Sequence, residues 1–338
     1  MKSFVKLSGN KNRAPLIFIG GGLFLLLSVI FGVLFGSAGL GPSEIIAGIT
    51  GRSDTALKII YYVRLPRTLA CVVAGAALAT SGAVIQSVLE NKLASPSVIG
   101  VNSGAGLAVT LCTALGVLGG FKLSLFAFVG AFAAVMLVST VSRALGASRT
   151  TVILIGIAVN SLLGALSDTV VTFFPEISVM TRDFKIGDFS AVTYQKLVPA
   201  FVGVAVAVLV IWSISNELDV LSLGDESARG LGMNTSAVRV LFLGLAALLS
   251  GCAVSLAGLL PFVGLIVPHA VRSVSKSGAK SLIPLCALYG GGFVCVCDTL
   301  ARTVFAPYEI PVGIFMSFIG VPFFVFLLMK KKGGHSGD

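Results

Sequence analysis

The side chains able to hold a metal, move a proton or attack a bond are sparse in this 338-residue chain, and their placement excludes most of that chemistry. His269 and His335 stand apart from each other and from the cysteines, so neither starts a zinc or haem site. The six cysteines (Cys71, Cys112, Cys252, Cys286, Cys295, Cys297) all lie in apolar runs, where a thiol is a small buried hydrophobe. Cys295 and Cys297 are two apart and point to different helix faces. No nucleophile–base pair stands out, and no G-x4-G-K-[ST] phosphate loop occurs. What remains is charge placed along apolar runs. Asp168, Asp298 and Arg302 fall late in such runs, Glu309 opens the next one, and Arg64 and Arg67 open an early one. They predict a charged rim at the external mouth of a membrane bundle. Ion-coupled carriers rely on carboxylates near the bilayer midplane, where this chain offers none. Asp168 and Asp298 keep such a carrier as a second reading.

The other polar feature is Asn216–Thr235, NELDVLSLGDESARGLGMNT. Leu218, Leu221, Leu223, Ala228 and Leu231 recur at helical spacing, with Glu217, Asp219, Asp225, Glu226 and Arg229 between them. Gly224, Gly230 and Gly232 punctuate the stretch, which predicts short helices joined by bends. Interfacial helices on lipid are typically rich in Lys and Arg, whereas four acids and one Arg occupy 217–231. The apolar stripe is therefore expected to dock on protein. On this reading Gly224→Pro or Leu221→Asp disables this docking element and spares the insertion of the rest of the chain.

The elements that position these groups are membrane helices. Apolar residues make up 56% of the chain and charged ones 11%, against about 25% charged in globular proteins. The net charge of +10 then describes loops beside a membrane and implies no nucleic acid. Ten runs approach the roughly 20 residues a bilayer requires: 16–36, 67–88, 97–116, 121–142, 151–172, 197–214, 237–259, 262–275, 281–303 and 311–329. The run 262–275 is short, holds Pro268 and His269, and is read as a broken or re-entrant helix. The first run is longer than the apolar core of a signal peptide and is read as a retained span. Lys2, Lys6, Lys11 and Arg13 at one terminus and Lys330, Lys331 and Lys332 at the other place both termini, and 216–235 with them, in the cytoplasm.

Gly75-AALAT-Ser81-Gly82 is echoed by Gly244-LAALL-Ser250-Gly251 in a span of opposite direction. The expectation is one all-α polytopic domain over 1–338, with inverted repeats at 61–172 and 237–330 flanking the 216–235 loop.

Several long stretches carry a family resemblance: Arg64 to Gly106 (RLPRTLACVVAGAALATSGAVIQSVLENKLASPSVIGVNSGAG), Leu221–Gly232, PFVGLIVPHAVR at Pro261–Arg272 and APYEIPVGIFMSFIGVPFF at Ala306–Phe324. Together they are similar to the iron-chelate and cobalamin ABC importer permeases, the FecCD family. The resemblance implies a cell-membrane permease subunit that dimerises with a second copy or a close paralogue. It implies two cytoplasmic ATPase subunits that bind the ATP and magnesium, so this chain is not itself an enzyme and holds no cofactor. An extracytoplasmic binding protein would deliver the cargo, a ferric siderophore, or alternatively haem or cobalamin. Leu221, Leu223, Gly224, Asp225, Glu226, Ala228, Leu231 and Gly232 fall where family members engage the ATPase. Arg64, Arg67, Arg302 and Glu309 fall where the binding protein docks. The chain departs from the family pattern at Lys92, Pro261 and Phe184–Ile186, and no cargo contact is carried over.

Overall fold

The computed structural model describes residues 14–37, 42–117, 119–275 and 278–332. Lys2, Lys6, Lys11, Arg13 and His335 lie outside them. Among the described residues there are sixteen α-helices and no strand. The first four are α1 (Ala14–Leu34), α2 (Pro42–Ile49), α3 (Asp54–Ile59) and α4 (Leu65–Val88). Next come α5 (Val101–Ala114), α6 (Gly120–Ala144), α7 (Arg149–Phe173), α8 (Ile177–Met180), α9 (Arg182–Ile186) and α10 (Tyr194–Ser213). The remainder are α11 (Ser215–Leu221), α12 (Asp225–Gly230), α13 (Thr235–Ala257), α14 (Val263–Val274), α15 (Ala279–Thr303) and α16 (Val312–Lys332).

Each of the ten apolar runs is helical, with differences that have local causes. Among the described residues seven helical runs are long and apolar enough to span a bilayer. The second begins well before 67: a π turn at Ile60–Arg64 fuses α3 to α4, giving one 35-residue run from Asp54 to Val88. At 1.5 Å per residue this is roughly 50 Å, more than the hydrocarbon core needs. The third run shortens because Gly100 turns left-handed at φ 102° between a 3-10 turn and α5. The run at 262–275 yields only the 12 residues of α14, which starts from Phe262 at φ 65°. So short a helix does not cross a bilayer alone. It is tolerated at membrane depth because protein surrounds it, with Val263 through Pro268 buried among α4, α15 and α16.

Burial sorts the helices into two classes. α4, α13 and α15 form the centre, while α1, α6, α7 and α10 present large apolar side chains outward, as lipid-facing helices do. Lipid offers no hydrophobic gain for helix pairing, so close backbone approach through small residues must supply it. A Cβ on Gly75 would collide with the Gly290 carbonyl, and one on Gly82 with that of Gly264, so α4 lies backbone to backbone on α15 and α14. The two copies of the Gly–Ser–Gly echo, on α4 and α13, also meet. Ser81 donates to the Ala246 carbonyl at 2.8 Å, and Ser250 to the same oxygen at 2.7 Å.

Candidate functional site

Polar chemistry collects at the two ends of the bundle. At one end, the last turn of α1, the start of α4, the last turns of α15 and the loop before α16 meet. Arg67 donates to Asp298 Oδ1 from Nη2 at 2.9 Å and from Nε at 3.1 Å, and its Nη1 reaches Glu309 Oε2 at 2.7 Å. Arg302, four residues after Asp298, pairs with Asp298 Oδ2 at 3.0 Å. Asp188 approaches Arg67 at 3.7 Å, and Ser37 donates to Glu309 Oε1.

The expected rim is thus turned inward. Asp298 is 0% exposed, and Arg64, Arg67 and Arg302 are 3%, 5% and 2% exposed. The cause lies in α1, whose last-turn carbonyls have no partner within the helix and form the negative end of its dipole. Arg302 donates to Gly32 O at 3.0 Å, and Arg64 to Val33 O at 3.1 Å and Leu34 O at 2.6 Å. The guanidinium heads cap a neighbouring helix. Glu309 remains partly open, its side chain 33% exposed. Burial would raise its pKa, but hydrogen bonds from Ser37 and Arg67 and the nearby guanidinium charges hold it below the usual value. Asp188 and Ser37 were missed in sequence, since nothing local marks a loop acid or a serine as the partner of a distant helix. The Asp298–Arg302 pair has the i,i+4 spacing of a helix ion pair and was legible. Asp168 is exposed near the end of α7, apart from this cluster.

At the opposite end α11 and α12 make the expected pair of short helices, bent at Gly224 (φ 104°) and closed at Gly232 (φ 82°). The apolar stripe splits. Leu218, Leu221 and Ala228 are fully buried against the chain's own helices, whereas Leu223 and Leu231 are 62% and 68% exposed. Leu221→Asp would therefore bury an unpaired carboxylate and report on folding rather than on docking. Glu226 points outward with the two leucines.

Three polar contacts anchor this element, and none was foreseen. Arg239 of α13 donates from Nη2 to both oxygens of Asp225 at 2.8 Å. Arg149 of α7 reaches Asp225 Oδ1 at 2.8 Å and the Leu221 carbonyl at 3.0 Å, and also pairs with Glu90. Burial pushes the Asp225 pKa up, but the hydrogen bonds and charges of Arg239 and Arg149 outweigh it, and the net direction is down. A depressed carboxylate stabilises the fold above its unfolded pKa, and that contribution is lost as pH falls through the folded value. Asp219 of α11 accepts from the Ala279 amide at 2.8 Å, capping α15 from a distance of 60 residues. Asp219→Ala removes this cap and is expected to cost about 1 kcal/mol. Thermal denaturation in detergent should show a melting point a few degrees lower, and an unchanged melt would mean the cap carries no weight.

Residues 24–330 match the model of the FecCD transport family. The chain belongs to that family. The iron-uptake system permease protein FeuB of Bacillus subtilis is 32% identical over 323 residues, covering 93% of this chain and 94% of the relative. The hemin transport system permease protein HmuU of Yersinia pestis is 33% identical, covering 94% and 97% respectively. A solved structure described as an inward-facing metal-chelate type ABC transporter superposes with a TM-score of 0.83 at 29% identity, over 94% of this chain and 99% of that one. This FecCD chain is a multi-pass membrane protein and a permease subunit of the metal-chelate class of ABC importers.

Proposed function

We propose that this FecCD permease moves a ferric siderophore inward, powered by ATPase subunits that grip α11 and α12. The observation that carries the reading is the split of the 216–235 stripe. Leu223, Leu231 and Glu226 face solvent on a scaffold that Leu221, Ala228, Asp225 and Asp219 bolt to α7, α13 and α15. Exposed leucines on a braced acidic element suit a partner that must push as well as bind. Under this reading α11 and α12 face the cytoplasm, and the bend positions Gly224 and Gly232 set the angle of the contact.

A second copy of the chain, or a close paralogue, completes the path. Ser161, Asp168 and Thr172 fall on one exposed face of α7, and lipid would not solvate a carboxylate there. A water-lined passage between two subunits would. In this arrangement 61–172 and 237–330 act as the paired repeats. Docking of the binding protein is assigned to the end holding Arg64, Arg67, Arg302 and Glu309. Because the three cations are internal, Glu309 makes the direct contact and they set its position. Asp298, clasped between two arginines, is poorly placed to take and release a coupling ion. That disfavours an ion-coupled carrier.

The test is uptake into proteoliposomes containing the permease, its ATPase and its binding protein. Accumulation of a ferric siderophore should require ATP, survive a protonophore, and exceed that of cobalamin or haem. Leu223→Asp with Leu231→Asp should lower it at least about ten-fold at equal protein level, as loss of interface anchors does. Uphill accumulation without the ATPase would overturn the reading.

A further inference from the structure

Between the end of α6, the start of α7, α12 and the first turns of α13 lies a cavity of about 180 Å³. That is room for several waters at about 30 Å³ each, or for one tetrahedral oxyanion. Arg143, Arg229 and Arg239 line it, and Asp225 is the carboxylate among its walls. Asp225 is already taken by Arg239 and Arg149, and Arg149 is also paired with Glu90. Four guanidinium groups thus share two carboxylates. Among the described residues Arg143 and Arg229 are in no ion pair; Arg229 donates only to Thr235, at 3.3 Å.

The floor of the cavity supplies a second, independent observation. Ser139 and Ser142 line it, are 2% and 7% exposed, and have buried hydroxyls without a hydrogen-bond partner among the described residues. Buried hydroxyls are nearly always paired, because leaving one unmade is costly. Serines on a membrane helix ordinarily donate to the carbonyl one turn back, as Ser250 does. Ser139 and Ser142 do not, so both are available to an acceptor inside the cavity.

We infer that this cavity binds a phosphate-type oxyanion. Arg143 and Arg229 supply the balancing charge, and the Ser139 and Ser142 hydroxyls donate to its oxygens. Arg239 lines the cavity and holds Asp225, which makes it the link between the site and the α12 clamp. The ligand is either the headgroup phosphate of an acidic phospholipid or a free phosphate, two sources with one chemistry. The assignment is independent of cargo, but the site shares α12 with the element to which the ATPase is assigned above.

The test uses the full-length purified permease and follows thermal unfolding. One arm titrates inorganic phosphate in detergent against chloride at matched ionic strength. The other titrates the fraction of phosphatidylglycerol in phosphatidylcholine nanodiscs. A saturable rise in melting temperature is expected in at least one arm: phosphate in solution identifies the free anion, and phosphatidylglycerol alone identifies the headgroup. Arg143→Gln should weaken the effect at least about ten-fold, the scale of one charge-assisted hydrogen bond. Ser139→Ala with Ser142→Ala should also weaken it. Without the anion that double variant should melt no lower than wild type, since the hydroxyls have no protein partner to lose. If Arg143→Gln does not fold, the serine pair carries the test alone. The proposal falls if neither arm saturates, if both variants respond like wild type, or if the serine variant melts lower without anion. It falls equally if adding the ATPase expels the phosphate, which would hand the cavity to a partner carboxylate.

Discussion

Asp298→Ala is expected to lower the melting point of the folded permease more than any other single change in the Arg67 cluster. The residue is 0% exposed and accepts from Arg67 while pairing with Arg302, two guanidinium groups that are themselves 5% and 2% exposed. Replacing the carboxylate leaves Arg302 buried without its ion-pair partner, and leaves Arg67 with Glu309 at 2.7 Å and the more distant Asp188 at 3.7 Å. Breaking a buried pair from one side costs about 3–5 kcal/mol, a large share of a total stability of about 5–15 kcal/mol. The measurement is fluorescence-detected size exclusion of detergent extracts heated in steps, with the variant's peak lost more than ten degrees below wild type. Glu309→Gln is the internal comparison. Its side chain is 33% exposed, water can replace what is lost, and the melt should move by a few degrees at most. Equal melting of Asp298→Ala and wild type would show that the cluster does not hold α1, α4 and α15 together.

Gly224→Pro carries the second large effect, and on transport rather than stability. Gly224 sits at φ 104° and ψ 152°, whereas proline locks φ near −65°. Nothing lies within 4 Å of where its Cβ would be, so the change acts through the backbone: it resets φ and removes the Gly224 amide donated to the Leu221 carbonyl at 3.4 Å. Forcing the bend to another geometry costs about 1–3 kcal/mol and re-aims Leu223 relative to Leu231. ATP-driven uptake should fall at least about ten-fold, while membrane level stays near wild type and the melting point drops by several degrees only, because the residue lies in a surface turn. Normal uptake would remove the bend from the coupling element.

These two residues also show what could be read without coordinates. The ten apolar runs were legible because a bilayer imposes a length, and their helical character followed. The shortening of the runs at α5 and α14 depends on single backbone conformations, at Gly100 and Phe262. Proline content hinted at the second and nothing at the first. The charges of the Arg67–Asp298 cluster were legible in sign and in their place near helix ends. Their inward turn was not, because it depends on carbonyls of Gly32, Val33 and Leu34, set on another helix. In the 216–235 stretch, periodicity revealed a stripe of leucines. Periodicity cannot tell a stripe that packs on its own bundle from one left exposed, and here a single stripe does both: Leu218, Leu221 and Ala228 pack inward while Leu223 and Leu231 face out. The contacts that separate the two uses run to Arg149, Arg239 and Ala279, each outside the stretch itself.

One helix touches both ends of the molecule. α15 is held at its first residue by Asp219 and carries Asp298 and Arg302 in its last turns. Its 25 residues form one continuous helix of roughly 37 Å, and where Pro284 leaves the Lys280 carbonyl without its helical donor, Trp212 Nε1 donates to it at 3.0 Å. It therefore joins the two ends by a single shaft, and a tilt imposed on α11 is expected to be felt at the far cluster.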